Sequence, residues 1–118
     1  MEASLTKNNS PWGTWEILDD STNFKVKKIV VKPNQRLSYQ KHFKRSEDWF
    51  IVQGQAKFTL DDEEQILNKG DQVHIPIESF HRIENISDSE ELIYIEIQLG
   101  TYFGEDDIVR KQDDYGRN

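Results

Sequence analysis

The stretch SYQKHFKRSEDWFIVQG, residues 38–54, decides the fold. It sets Gln40, His42 and Glu47 at the edge of an apolar run that closes on Gly54. Residues i and i+2 of a strand point to one face, so Gln40 and His42 project together. Phe43 to Ser46 reads as a turn, from which Glu47 enters on an adjoining strand. Two readings fit these residues alone: a polar turn between strands, or three of the four arms of a metal site. A fourth arm elsewhere, on a fold that carries it across, separates them.

Around this stretch lie short clusters of β-branched and aromatic residues, each closed by turn chemistry. They cover 15–18, Phe24–Val31, 48–52, Ala56–Leu60, Glu63–Leu67, Gln72–Ile75, 80–85 and 92–99. Asp61-Asp62 joins two of them as a hairpin whose acidic tip, 61–64, is solvated and no calcium loop. In 92–99, Ile93, Ile95, Ile97 and Leu99 alternate with Tyr94, Glu96 and Gln98, the pattern of a half-buried strand. Turns at intervals of roughly eight to twelve residues predict an all-β sandwich or barrel. One segment departs: in 104–112, acids 105–107 precede Arg110 and Lys111, which predicts a short C-terminal helix aligned with its dipole. Residues 1–10 are polar and read as a flexible tail, and residues 11–118 as a single domain.

At 118 residues the chain has room for one core. Its net charge of −7 repels phosphate backbones and argues against nucleic-acid binding. The absence of cysteine excludes disulfides, thiolate zinc sites and cysteine nucleophiles. The start, MEASLTKNNS, has no apolar signal core, and no run approaches the roughly 20 apolar residues of a membrane span. A cytoplasmic protein without membrane contact is the expectation.

The fourth arm is His81, in GDQVHIPIESFHRIEN. The first segment runs Gln40-x-His42, Glu47, Gly54; the second runs Gly70, Pro76, His81, Asn85. In these spacings the chain resembles the cupin superfamily, which implies a double-stranded β-helix, or jelly-roll barrel. Gln40 replaces the first His of the usual His-x-His, and Glu78 stands where the second motif usually has Gly. The resemblance implies one divalent metal held by Gln40, His42, Glu47 and His81. A mixed nitrogen and oxygen set suits Zn, Mn, Fe or Ni. His74 alternates away from Val73 and Ile75 and is not expected to be a ligand. Trp12, Trp15 and Trp49 are expected in the core or at a dimer contact.

A narrower resemblance is to the mannose-6-phosphate isomerase cupins, which also form the C-terminal part of bifunctional guanylyltransferase/isomerases. It is carried by PWGTWEIL, by FKVKKIVVKPNQRLSYQKH, by RSEDWFIVQGQAKFTLD and by GTYFGEDDIVRKQDDYGR. It implies a metal-dependent interconversion of mannose 6-phosphate and fructose 6-phosphate, with a sugar phosphate as ligand. It also implies a phosphate clamp drawn from Arg45, Arg82 and Arg117, with Lys44 as a local addition. The chain departs from the family at His42-Phe43-Lys44, commonly His-His-His, and at Glu47-Asp48-Trp49, commonly Glu-His-Trp. These losses favour the alternative of a non-catalytic cupin module that binds a sugar or sugar phosphate. The nucleotidyltransferase part of the bifunctional members is missing here, so nucleotidyl transfer is not expected. No residue is assigned as the proton-transfer base. Glu78 and Glu84 lie near His81, and Glu84 alternates outward. By analogy with cupins that exchange edge strands, a homodimer is expected.

Overall fold

The computed structural model describes residues 7–117. Its strands are β1 (Lys7–Ser10), β2 (Gly13–Asp20), β3 (Phe24–Val31), β4 (Tyr39–Lys41), β5 (Arg45–Gln53), β6 (Ala56–Leu60), β7 (Glu63–Leu67), β8 (Gln72–Ile75), β9 (His81–Asn85), β10 (Leu92–Gly100) and β11 (Val109–Gln112). One sheet has the order β1-β2-β3-β10-β5-β8 and the other β11-β4-β9-β6-β7. The strand pairs of both sheets are antiparallel. The two sheets face each other as the expected jelly roll.

Turn chemistry explains the breaks. Gly54 and Gly70 have φ of 91° and 92°, in the left-handed region where glycine costs least. Asp61 and Asp62, with φ of 47° and 71°, form the hairpin tip between β6 and β7. Glu78 also has a positive φ, 63°, which is why the cupin pattern prefers glycine at this position.

The interior is graded from apolar to charged. Along β5 the inward side chains are Arg45, Glu47, Trp49 and Ile51; along antiparallel β10 they are Leu92, Tyr94, Glu96 and Gln98. Ile51, Leu92 and Tyr94 therefore lie toward one end with Val31, Phe58 and Ile83, and this end is the hydrophobic core. Trp49 closes it, with its ring centroid 4.7 Å from Tyr94 and 5.4 Å from Phe58. At the other end Arg45, Glu47, Gln98 and His81 are all buried. Burial of this many polar groups is costly unless they are paired or bind something.

Two expectations are corrected. No helix forms among the described residues of 104–112. Val109 and Arg110 pair with Lys41 and Gln40, so ladder hydrogen bonds to β4 replace the helical ones that local charge order favours. The tail predicted over residues 1–10 is also too long. Lys7–Ser10 is strand β1, paired with Gly13 to Glu16 of β2, and only residues 1–6 of that tail lie outside the described residues.

Candidate metal centre

His42, Glu47 and His81 converge inside the barrel, each offering a ligand atom within 4.8 Å of the others. Backbone placement achieves this. Gln40 on β4 lies directly opposite His81 on β9. The turn before β9 is tied to the first motif by the Glu78 amide, which donates to the His42 carbonyl at 2.7 Å. His42 and His81 rings are 5.2 Å apart between centroids.

The hydrogen bonds set the tautomers. Nδ1 of His42 lies 2.7 Å from the carbonyl of Asp107, and Nδ1 of His81 lies 2.9 Å from that of Ser79. A carbonyl only accepts, so each Nδ1 carries the proton and each neutral ring turns a lone pair at Nε2 inward. Nε2 of His42 is 3.3 Å from Glu47 Oε2, and Nε2 of His81 is 4.0 Å from Glu47 Oε1. Burial pushes the His42 pKa down to about 4 and lowers that of His81 as well. Burial alone would raise Glu47, but Arg45, His81 and His42 outweigh it and hold the carboxyl well below its ordinary range. The cluster is thus a neutral–anionic–neutral set, ready for a cation without loss of protons at neutral pH.

The donors fit a divalent ion. His81 Nε2 is buried with no hydrogen-bond partner, a cost that a metal would remove. Carbonyls behind both imidazoles are the usual outer support of metal-bound histidine. Glu47 is oriented by Trp49 Nε1, which donates to Oε1 at 2.9 Å, and by Arg45 Nε, which donates to Oε2 at 2.9 Å. Gln40 Nε2 stands 3.4 Å from His42 Nε2 while Ser38 Oγ donates to Gln40 Oε1. A half-turn of this amide presents its oxygen inward and its nitrogen to the Ser38 hydroxyl, which accepts equally well. Arg45 Nη2 lies 3.3 Å from His42 Nε2. That lone pair cannot serve both a metal and the guanidinium, so metal binding would free Arg45 toward the neighbouring cavity.

That cavity is lined by Gln40 and Arg45 and by Trp12, Trp15, Lys27, Glu96, Glu105, Arg110 and Arg117. Of the residues predicted to bind substrate, Arg45 and Arg117 border it. Lys44 is exposed, 5.4 Å from the Tyr102 ring centroid, and does not line it. Arg82 is on the opposite face of its sheet, where it donates to the Leu37 carbonyl and Gln112 and borders a separate groove with Arg36, Tyr39 and Lys57. His74 is exposed beside Asp48, as its alternation predicts. Four charged cavity residues escape the sequence reading: Lys27, Glu96, Glu105 and Arg110. Arg110 lies opposite Gln40 across β11 and β4, and its Nε is buried without a partner. Burial and the Glu47 carboxylate push Glu96 up to about 7. The available signal was the polar face of β10, Tyr94-x-Glu96-x-Gln98, which a half-buried strand ordinarily turns to solvent.

An antiparallel jelly roll whose two motifs bring a His, a Glu and a second His to one interior point is a cupin. Solved structures share the fold: the capsular polysaccharide assembling protein CapF from Staphylococcus aureus has a TM-score of 0.77 at 20% identity, over 90% of this chain and 34% of that one. Oxalate decarboxylase from Bacillus subtilis has 0.76 at 17%, over 89% and 29%. The chain belongs to the mannose-6-phosphate isomerase C-terminal family, whose model matches residues 2–113. Mannose-1-phosphate guanylyltransferase of Salmonella montevideo is 44% identical over 92% of this chain and 23% of its own length. Alginate biosynthesis protein AlgA of Pseudomonas aeruginosa is 46% identical over 91% of this chain and 22% of its own. The chain therefore spans less than a quarter of these curated relatives.

Proposed function

We propose that the domain holds one divalent metal through Gln40, His42, Glu47 and His81 and interconverts mannose 6-phosphate and fructose 6-phosphate. The observation that carries this is the unpartnered, buried Nε2 of His81 facing Glu47 and His42 beside a cavity bordered by cations. Bound there, the ion supplies a Lewis acid for the sugar's carbonyl or adjacent hydroxyl oxygen. Arg45, freed from His42, adds a second positive group for the oxygen that becomes anionic. Arg110, whose buried Nε has no hydrogen-bond partner, takes the phosphate, since a planar fork matches its oxygens. Arg117 borders the cavity with its fork already held by both oxygens of Asp113. Trp12 and Trp15 give the cavity its apolar wall.

The departures from the family pattern lie outside the cavity: Phe43, Lys44 and Asp48, the positions that commonly carry His, do not line it. Asp48 accepts from exposed His74 at 2.9 Å. The reading of catalysis over simple binding rests instead on the retained His42, Glu47 and His81 cluster. Incubation of metal-loaded protein with mannose 6-phosphate tests the proposal. Formation of fructose 6-phosphate supports it, and tight sugar-phosphate binding with no turnover would establish the non-catalytic module instead.

The outward face of β10 supports a homodimer. Phe24, Phe50, Val52, Ile97 and Leu99 are each 37–46% exposed on one sheet face. Ile95 sits between Lys28 of β3 and Phe50 of β5, and Ile97 between Val26 and Asp48. A two-fold axis along β10 would lay β3 of one copy over β5 of the other and cover this apolar strip. Among the described residues no helix is long and apolar enough to cross a membrane.

A further inference from the structure

We infer that Glu96 is the group that carries the proton between the two carbons of the substrate, an inference that rests on the isomerase reading above. Its position argues for this. Glu96 lies on the inward face of β10, is 5% exposed, and borders the same cavity as Gln40 and Arg45. Its cross-strand neighbours are Lys27 on β3 and Trp49 on β5.

The other acids are occupied. Glu47 receives Trp49 Nε1 and Arg45 Nε on its two oxygens. Glu105 is held by Lys27 Nζ at 2.6 Å, and the same ammonium lies 4.2 Å from the Trp15 ring centroid. Lys27 is therefore turned to Glu105 although it stands opposite Glu96. Glu96 keeps a single hydrogen-bond donor among the described residues, Gln98 Nε2 to Oε2, which leaves Oε1 without a donor on a residue that lines the cavity. Gln98 Oε1 and the Tyr94 hydroxyl on either side are buried without partners, so the wall around the carboxyl is built for a polar ligand that reaches it.

The step balances without any redox partner. Glu96 as carboxylate takes the C2 proton of the open-chain aldose. The C2–H electron pair becomes the C1=C2 bond, and the carbonyl pair moves to O1 beside Arg45. The resulting carboxylic acid returns its proton to C1 while the hydroxyl proton on O2 passes to O1, leaving the ketone at C2. One C–H and one O–H have changed place. A single carboxyl between the two carbons suffices, and Gln98 holds it in place.

The test compares the metal-loaded wild-type chain with Glu96→Gln, using mannose 6-phosphate deuterated at C2. Wild-type turnover is expected, with kcat lower by at least ~10²-fold in Glu96→Gln. Metal content and sugar-phosphate affinity by calorimetry should stay within about threefold, because neither the ligands nor the phosphate clamp is touched. Formate should restore part of the turnover of Glu96→Ala, which a merely structural role would not allow. Turnover by Glu96→Gln within about threefold of wild type overturns the role of Glu96 and leaves the isomerase reading standing. Absence of turnover in the wild type overturns both. If Glu96→Gln does not fold, Glu96→Asp decides, since it keeps the charge and withdraws the carboxyl by one methylene; unchanged kcat in that variant overturns the inference.

Discussion

Asp107 holds His42 from two sides. Its backbone carbonyl accepts from Nδ1 of His42 at 2.7 Å, and its carboxylate accepts from the amides of Phe43 and Lys44 at 3.0 and 2.9 Å. The C-terminal segment thus reaches across 65 residues to fix a ring of the candidate centre. Asp107→Ala keeps the carbonyl but removes the two side-chain bonds that place it. Loss of such outer support typically costs about 10–100-fold in metal affinity. Competition with a metal-binding dye should show that loss, and wild-type affinity in Asp107→Ala would rule out the positioning role.

The metal-free protein should lose stability as pH falls from about 6.5 to about 4. His42 has an ordinary value of 6.5 and a folded value of about 4, so over this window the unfolded chain binds a proton that the fold refuses. His81 is lowered in the same direction by burial. Each imidazole contributes a slope of up to ~1.4 kcal/mol per pH unit. Glu96 acts oppositely between 4.5 and about 7, because its folded form keeps a proton that the unfolded chain releases. Two imidazoles outweigh one carboxyl, so urea unfolding at pH 5 should give a smaller free energy than at pH 6.5. Equal or greater stability at pH 5 would contradict this balance.

Glu78 occupies a left-handed position, φ 63°, that costs a residue with a Cβ about 1–2 kcal/mol. Its side chain is exposed, so Glu78→Gly sacrifices no buried contact. Glycine's added freedom in the unfolded chain offsets about 0.4–1 kcal/mol of the relief. A small rise in melting temperature is expected, and a fall of several degrees would show that the turn relies on the Glu78 side chain.

The all-β class and the hairpin tip were legible in the sequence because strand periodicity and turn residues are local signals. The jelly roll and the convergence of His42, Glu47 and His81 were legible only through motif spacings that resemble the cupins. The inward side of β10 was not. Ile93, Ile95, Ile97 and Leu99 form its more apolar face, yet Tyr94, Glu96 and Gln98 are the buried residues. Alternation reveals two faces but not which one lines a polar cavity, and here the rule that apolar side chains go inward yields to the site. Arg82 and Lys44 show the same limit. One faces away from the cavity and the other stands outside it, a distinction that proximity to His81 or His42 in the chain does not carry. The helix expected at 104–112 failed because β4 offered this segment a strand partner.

The outward isoleucines should mediate self-association. Ile97→Glu places a charge at the centre of the face and should convert a dimer to a monomer in sedimentation, without changing metal content. A wild-type monomer, or a variant that remains dimeric, would assign this face to another partner or to solvent.

Metal analysis of the purified chain addresses the central claim most directly. One divalent ion per chain in the wild type is predicted, falling to a small fraction in His81→Ala and in Glu47→Gln. A chain that takes up no divalent ion, or whose uptake is unaltered by both substitutions, would contradict the site.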